Sequence, residues 1–182
     1  MILPLFRRSK RSGTISALYG MIVAQARMPA FYRDYGVPDT VNGRFDLIVV
    51  HLAIVMGCLA QNADSRDLGQ ELFDRFCKDM DHNLREMGIG DLAVPKEMNR
   101  IGEAYYGRSQ AYAAALAADR KEALAEALSR NVYGHDGAPP PGARRLALYV
   151  RRAVAALSEV DRVALADGAV RFPDPATVPV EA

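Results

Sequence analysis

The sequence predicts an all-α fold: a single-domain bundle of about six helices, with an irregular loop after the first. Three observations carry this. Apolar residues recur at every third or fourth position through most of the chain. No segment alternates apolar and polar residues as a half-buried strand does, and Pro, Gly and Asn punctuate the stripes at helix-length intervals. At 182 residues the chain has room for one domain with a substantial core. Three regions follow: a basic N-terminal arm over 1–13, a helical domain over 14–168 and a proline-containing tail over 169–182.

The first stripe is Ile15, Leu18, Tyr19, Ile22 and Ala26, and Pro29 ends that helix by disfavouring helical angles at Met28. Residues 28–43 read as irregular, with turn signals at Tyr35-Gly36, Val37-Pro38 and Asn42-Gly43. The next helix, from about Arg44 to Gln61, is apolar nearly all round, as Phe45, Ile48, Leu52, Val55 and Leu59 face one way and Leu47, Ile54 and Cys58 the other. Such a helix belongs at the centre of a bundle. Its continuous apolar run, Leu47 to Ala60, falls short of the roughly 20 residues a membrane span needs.

Ser65 is placed to cap a helix carrying Leu68, Leu72, Phe76, Met80 and Leu84, which Gly88 and Gly90 stop. Pro95 opens another, with Met98, Ile101, Tyr105 and Tyr112. Asp119-Arg-Lys-Glu122 reads as a variant capping box before Leu124 and Leu128, and Gly134 closes that short helix. His135 to Gly142 reads as a stiff, exposed linker. The last helix carries Leu146, Val150, Val154, Leu157 and Ala164, with Gly168 at its close, and is expected to pack back on the bundle. The tail after Arg171 is expected to lie loose or hug the surface.

Composition excludes more than it selects. A net charge of +1 provides no global field for nucleic acid. Cys58 and Cys77 lack CxxC spacing and suit a reduced, cytoplasmic pair. Arg7, Arg8, Lys10 and Arg11 follow the apolar Met1-Ile-Leu-Pro-Leu-Phe6, the composition of a loose basic terminus or of a weak contact with an anionic membrane. No phosphate-binding loop, dinucleotide fingerprint or HExxH segment occurs, so neither a cofactor nor a metal is called for. His51 with Cys58, or Asp79 with Asp81 and His82, falls short of a ligand set. Glu71, Asp74 and Glu103 form at most a thin acid/base case, and Tyr105-Tyr106 reads as one core ring beside one rim ring. Arg144, Arg145, Arg151 and Arg152 lack the aromatic platforms of a nucleic-acid stripe and read as a solvated helix face. The chain is expected not to be an enzyme. A small-molecule enzyme of unknown class and a ribosome or nucleic-acid contact protein stand as the alternatives.

The chemistry instead concentrates in Arg27-Met-Pro-Ala-Phe-Tyr-Arg-Asp-Tyr-Gly-Val-Pro-Asp-Thr-Val-Asn-Gly-Arg-Phe-Asp46, directly before the most apolar helix. Aromatics interleaved with arginines make interface anchors when exposed, so Phe31 and Tyr32 are expected to face a partner. The planar forks of Arg27 and Arg44 can grip a partner's carboxylate or latch the loop internally. His51, alone among apolar neighbours, is expected to be a neutral imidazole tied to a loop carbonyl, Asp39 or the Tyr32 hydroxyl.

Several long motifs carry a family resemblance. Gln25-Ala-Arg-Met-Pro-Ala-Phe-Tyr32, Gly36-Val-Pro-Asp-Thr-Val-Asn-Gly-Arg-Phe-Asp46 and His51-Leu52 resemble the ubiquinol-cytochrome c chaperone family, in its alphaproteobacterial branch. Asp79-Met-Asp81, Asn83-Leu-Arg-Glu-Met-Gly-Ile-Gly-Asp-Leu92 and Tyr106-Gly-Arg-Ser-Gln-Ala-Tyr112 follow in the same order, so that the likeness spans roughly 14–130. The resemblance implies an assembly factor of the respiratory cytochrome bc1 complex. It would hold newly made cytochrome b or another bc1 subunit, work with a second assembly factor and bind no specific nucleic acid. Its location would be cytoplasmic or peripheral at the inner membrane. This chain lacks the long N-terminal extension of the mitochondrial members, so membrane attachment is expected to depend on the short basic start. The motif positions expected to bind protein are Arg27, Phe31, Tyr32, Asp39, Arg44, Asp81, Arg85 and Asp91, none of them catalytic.

Overall fold

The computed structural model describes residues 3–61, 65–159 and 170–179, and of residues 3–10 the backbone alone. Its elements are α1 (Leu3–Ala26), α2 (Pro29–Arg33), α3 (Val41–Ala60), α4 (Arg66–Glu86), α5 (Val94–Ala117), α6 (Ala123–Val132) and α7 (Pro141–Ser158), then a 3₁₀ turn at Pro175–Thr177. Six of these helices have ten residues or more, and the described residues include no strand. The expected all-α bundle is what the chain forms. Helix α3 lies at its centre, touching α1, α4, α5, α6 and α7, as its all-round apolar surface requires. By length and apolarity alone α3 is a candidate membrane span, but Leu47 to Val50, Leu52, Ile54, Val55 and Leu59 are buried inside the bundle.

Side-chain contacts fix how the helices run. Arg11 pairs with Glu71 at 2.9 Å and Tyr19 donates to Asp79 at 2.9 Å. The two pairs share one sequence offset, so α1 and α4 run parallel in constant register. Continued to the end of α1, that offset sets Arg27 level with Met87. Phe45 meets Phe76, and Met56 meets Gly69, so α3 and α4 run antiparallel. Phe76 meets Tyr105 and Phe73 meets Tyr106, closing α4 and α5 into a second antiparallel pair. The end of α1, the start of α3, the end of α4 and the start of α5 therefore share one pole of the bundle.

Several local expectations need correction. Residues 28–43 are not wholly irregular: Pro29, at the first position of a helix, opens α2. Helix α3 begins at Val41 because the Thr40 hydroxyl accepts from the Gly43 amide at 3.1 Å. Ser65 makes no cap bond, and the capping box at Asp119 to Glu122 does not form, since Glu122 has helical angles and no capping contact. Arg120 pairs instead with Glu126. The basic start is helical from Leu3 rather than loose. Ala164 and Gly168 lie outside the described residues.

Other readings hold. Gly88, at φ +82°, ends α4, with the Ile89 amide reaching the Leu84 carbonyl at 3.0 Å and the Gly88 amide that of Arg85 at 2.9 Å. This is the double bond pattern of a glycine-terminated helix. Helix α7 packs on α3 and α6. The tail hugs the surface: residues 170–179 lie against α1, α7 and the α2 region, with Val170, Pro175 and Val178 buried.

Candidate protein-binding site

Residues 27–40, the connector from α1 to α3, are held from below and from behind. Helix α2 turns Ala30 and Phe31 inward and leaves Arg33 and Asp34 outside. Phe31 is therefore not a partner anchor, contrary to expectation. It is fully buried, with its ring 4.9 Å from Tyr149, 5.3 Å from Tyr35 and 5.4 Å from His51. Tyr35 is buried as well. Tyr32 is half-buried, and its hydroxyl donates to the Ala26 carbonyl at 2.9 Å, satisfying an end group of α1.

His51 is the hub beneath. Its Nδ1–H donates to the Leu47 carbonyl at 2.7 Å, so Nε2 accepts from the Tyr149 hydroxyl at 2.9 Å. Gln25 in turn donates to the Tyr149 oxygen and to the Pro173 carbonyl, each at 3.0 Å. Burial pushes the His51 pKa down to about 4, which keeps the ring neutral. The neutral imidazole was expected, but its partners are Leu47 and Tyr149, not Asp39 or Tyr32. With both nitrogens engaged it is no metal ligand, and the described residues contain no group of three metal-binding side chains.

Above this floor, Arg27, Pro29, Tyr32, Arg33, Asp39 and Arg44 line an open depression of about 500 Å³. Four expected site residues thus come together: Arg27, Tyr32, Asp39 and Arg44. Arg44 donates to Asp39 at 2.7 Å, and that bond holds the Asp39 carboxyl below its usual range. Arg33 pairs with its neighbour Asp34 at 2.6 Å. Both pairs are open to water, where an ion pair is weak and readily exchanged. Arg27 is exposed and has no carboxylate partner among the described residues. The depression therefore presents one free guanidinium and a second whose latch a partner carboxylate can replace.

Asp81, Arg85 and Asp91 form a separate cluster at the end of α4. Arg85 donates to Asp81 at 2.8 Å and also to Asp91, tying the α4–α5 turn to the helix. The pairs brace the turn, and the side chains stay open to water, Asp91 most of all. Three bare side chains at this end are apolar: Val41 is 66% exposed, Leu92 99% and Met87, which the stripe of α4 suggested for the core, 56%. All three stand at the connector pole. The available signal was Leu92, an apolar residue in a glycine-rich turn with no helical stripe to join.

Inside the bundle, Arg108 faces the buried Asp46 at 2.9 Å. Burial raises the Asp46 pKa to about 6 despite the neighbouring guanidinium. Tyr105 is buried and Tyr106 is 57% exposed, as expected of core and rim rings. They border a hollow of about 230 Å³ with Met56, Leu59 and Phe73. Arg11 pairs with Glu71, and Asp74 accepts from Gln70. The arginines of α7 form a solvated face only in part: Arg144 and Arg152 are exposed, while Arg145 is half-buried against the tail. Arg145 donates to the Val178 and Asp34 carbonyls, Arg152 to Thr177, and Arg144 pairs with Glu122.

Residues 33–172 match the protein family described as ubiquinol-cytochrome C chaperone. The chain belongs to that family. A solved structure described as the crystal structure of the Cbp3 homolog from Brucella abortus is similar to it over 98% of this chain and 100% of that one. The two are 39% identical, with a TM-score of 0.87. No curated protein matches the chain. The chaperone-family match runs past residue 130, where the motif likeness ends, and takes in α6, α7 and the tail as far as Phe172. It begins at Arg33, so Arg27, Phe31 and Tyr32 rest on the structural similarity, which covers nearly the whole chain.

Proposed function

We propose that the chain is a non-catalytic assembly factor of the cytochrome bc1 complex, which holds newly made cytochrome b, or another bc1 subunit, at the connector pole. A second assembly factor acting beside it belongs to the same reading. One observation carries the proposal: Val41, Met87 and Leu92 stand bare at the pole that also bears the Arg27–Arg44 depression. Bare apolar side chains next to exchangeable cations suit an incompletely assembled membrane segment and its polar flank. The connector is already braced by Phe31 and His51, so little ordering cost remains on binding.

The test is affinity capture from detergent-solubilised membranes. Met87→Asp combined with Leu92→Asp alters only exposed side chains and should leave the fold intact, yet lower cytochrome b recovery about tenfold, the scale of losing an apolar anchor. Unchanged recovery with that variant and with Arg27→Ala/Arg44→Ala would sink the assignment.

We further infer that the protein works at the cytoplasmic face of the inner membrane, attached peripherally through its start. Leu3, Leu5 and Phe6 precede Arg7, Arg8, Lys10 and Arg11 in one helix of 24 residues, about 36 Å long. Attachment there leaves the connector pole, at the other end of α1, free for a client. Co-sedimentation should favour anionic over zwitterionic vesicles and drop on Arg7→Glu/Arg8→Glu. Equal binding to both vesicle types rules the arm out.

A further inference from the structure

Residues 170–179 are bound as a ligand is bound. The Gln25 amide donates to the Pro173 carbonyl at 3.0 Å, the Tyr35 hydroxyl to Pro175 at 2.6 Å and Arg152 to Thr177 at 3.3 Å. Arg145 spans the end of the segment, donating to the Val178 carbonyl at 2.8 and 3.0 Å. Each of these donors is a side chain of the body, and each acceptor is a main-chain carbonyl of the tail. The apolar seats are few and small: Val170, Pro175 and Val178 are buried, and Phe172 sets its ring 5.1 Å from His51.

Recognition of this kind reads main-chain carbonyls along a segment that is extended at Asp174 and Val178 with one 3₁₀ turn between them, and small or proline side chains rather than a particular sequence. Prolines at 173, 175 and 179 pre-set the chain direction and lower the ordering cost of such a segment. The seat is also formed in part without the tail. Arg145 stacks 4.4 Å from the centre of the Tyr35 ring and donates to the Asp34 carbonyl, while the Tyr133 hydroxyl holds the Tyr35 carbonyl at 3.0 Å. Donors fixed by one another remain in place when a ligand leaves.

We propose that the cleft between α1, α7 and residues 34–37 is a peptide-binding groove for a proline-containing segment of a partner protein that makes one 3₁₀ turn, as the tail does. In the free chain its own tail occupies it. Covalent tethering places the tail before the groove at an effective concentration on the order of millimolar. A partner segment displaces it only when it is itself concentrated there by another contact. The groove shares Asp34 and Tyr35 with the connector, so exchange of the tail is felt at the candidate site.

The experiment uses the full chain with a specific protease site inserted between residues 160 and 169, cut after purification. The probe is a fluorescent peptide of residues 170–179. The body should keep one cooperative melting transition after cleavage, and its tail should exchange for the probe with saturable anisotropy. Tyr35→Phe, which removes one donor and keeps the ring, should weaken the probe roughly three- to tenfold, the usual worth of one hydrogen bond. Arg145→Lys should weaken it further, because an ammonium cannot span the carbonyl as the fork does. A probe with Pro175→Asp should not bind. Loss of the cooperative transition on cleavage would make the tail an inseparable part of the core and overturn the proposal. So would a cleaved tail that never exchanges, or a vacated groove that ignores the probe.

Discussion

At Gly43 the backbone of the connector lies directly on the first turn of α3. A Cβ built there would stand 2.0 Å from the Pro38 carbonyl oxygen, nearer than any two such atoms can approach. This contact lets Thr40 cap the helix and brings Asp39 to Arg44. Gly43→Ala should therefore cost about 2–3 kcal/mol, as forced overpacking does, seen as a lower urea midpoint at unchanged slope. Gly20, exposed on α1 with nothing near its missing Cβ, is the control, since Ala there should be neutral or stabilising by up to about 1 kcal/mol. Equal losses at both positions would refute the close-approach account. Asn42-Gly43 reads as a turn from sequence because glycine signals permissive angles. Here it serves by its size, which no dipeptide rule distinguishes. Phe31 is the converse case. An aromatic among arginines looks like an interface anchor, but one turn of helix from Pro29 rotates it into the core.

Elements were legible where their signals are local. Pro95 stands in the first turn of a helix, and Gly88 and Gly134 stand with positive φ just past helix ends. Pro29 and Pro141 also open helices, although the first reads as a helix stop and the second as part of a linker. The all-round apolarity of α3 correctly places it at the centre. Caps were less legible. Ser65 and the Asp119–Glu122 box have the right residue types, but a cap depends on the angle at which the chain enters the helix, and the preceding loop sets it. The proline-rich tail reads as either loose or surface-bound, because proline removes backbone donors. Its carbonyls remain, and side chains far away in sequence bind them. Of the candidate site, Arg27, Tyr32, Asp39 and Arg44 could be gathered from one contiguous motif. Val41, Met87 and Leu92 could not, because they are joined only by how three helices share a pole.

Across the whole molecule, two buried groups respond to acid with opposite signs. His51 has a folded pKa of about 4, below its unfolded value, so the unfolded chain gains a proton first and stability falls as pH drops from about 6.5 toward 4. Asp46, raised to about 6, is protonated first in the folded chain, so its contribution is fully present below its unfolded value and is lost as pH rises through about 6. Between about pH 4 and 6 the two slopes oppose each other. Asp34, Asp39 and Asp81, held low by arginines, titrate below that window. Asp46→Asn should therefore steepen the fall in melting temperature on acidification from pH 6 to 4, by about one proton's worth, or roughly 1.4 kcal/mol per pH unit. A parallel curve for the variant would deny Asp46 its raised pKa.

What the sequence by itself determined is the helical alphabet of this protein, its central helix and its family, because periodicity, helix punctuation and long motifs are properties of neighbouring residues. Only the tertiary structure decided which side chains of the connector face outward, where the tail binds and which apolar residues stay bare. Those outcomes depend on the crossing and register of helices far apart in the chain, and burial is a property of that packing rather than of any segment within it.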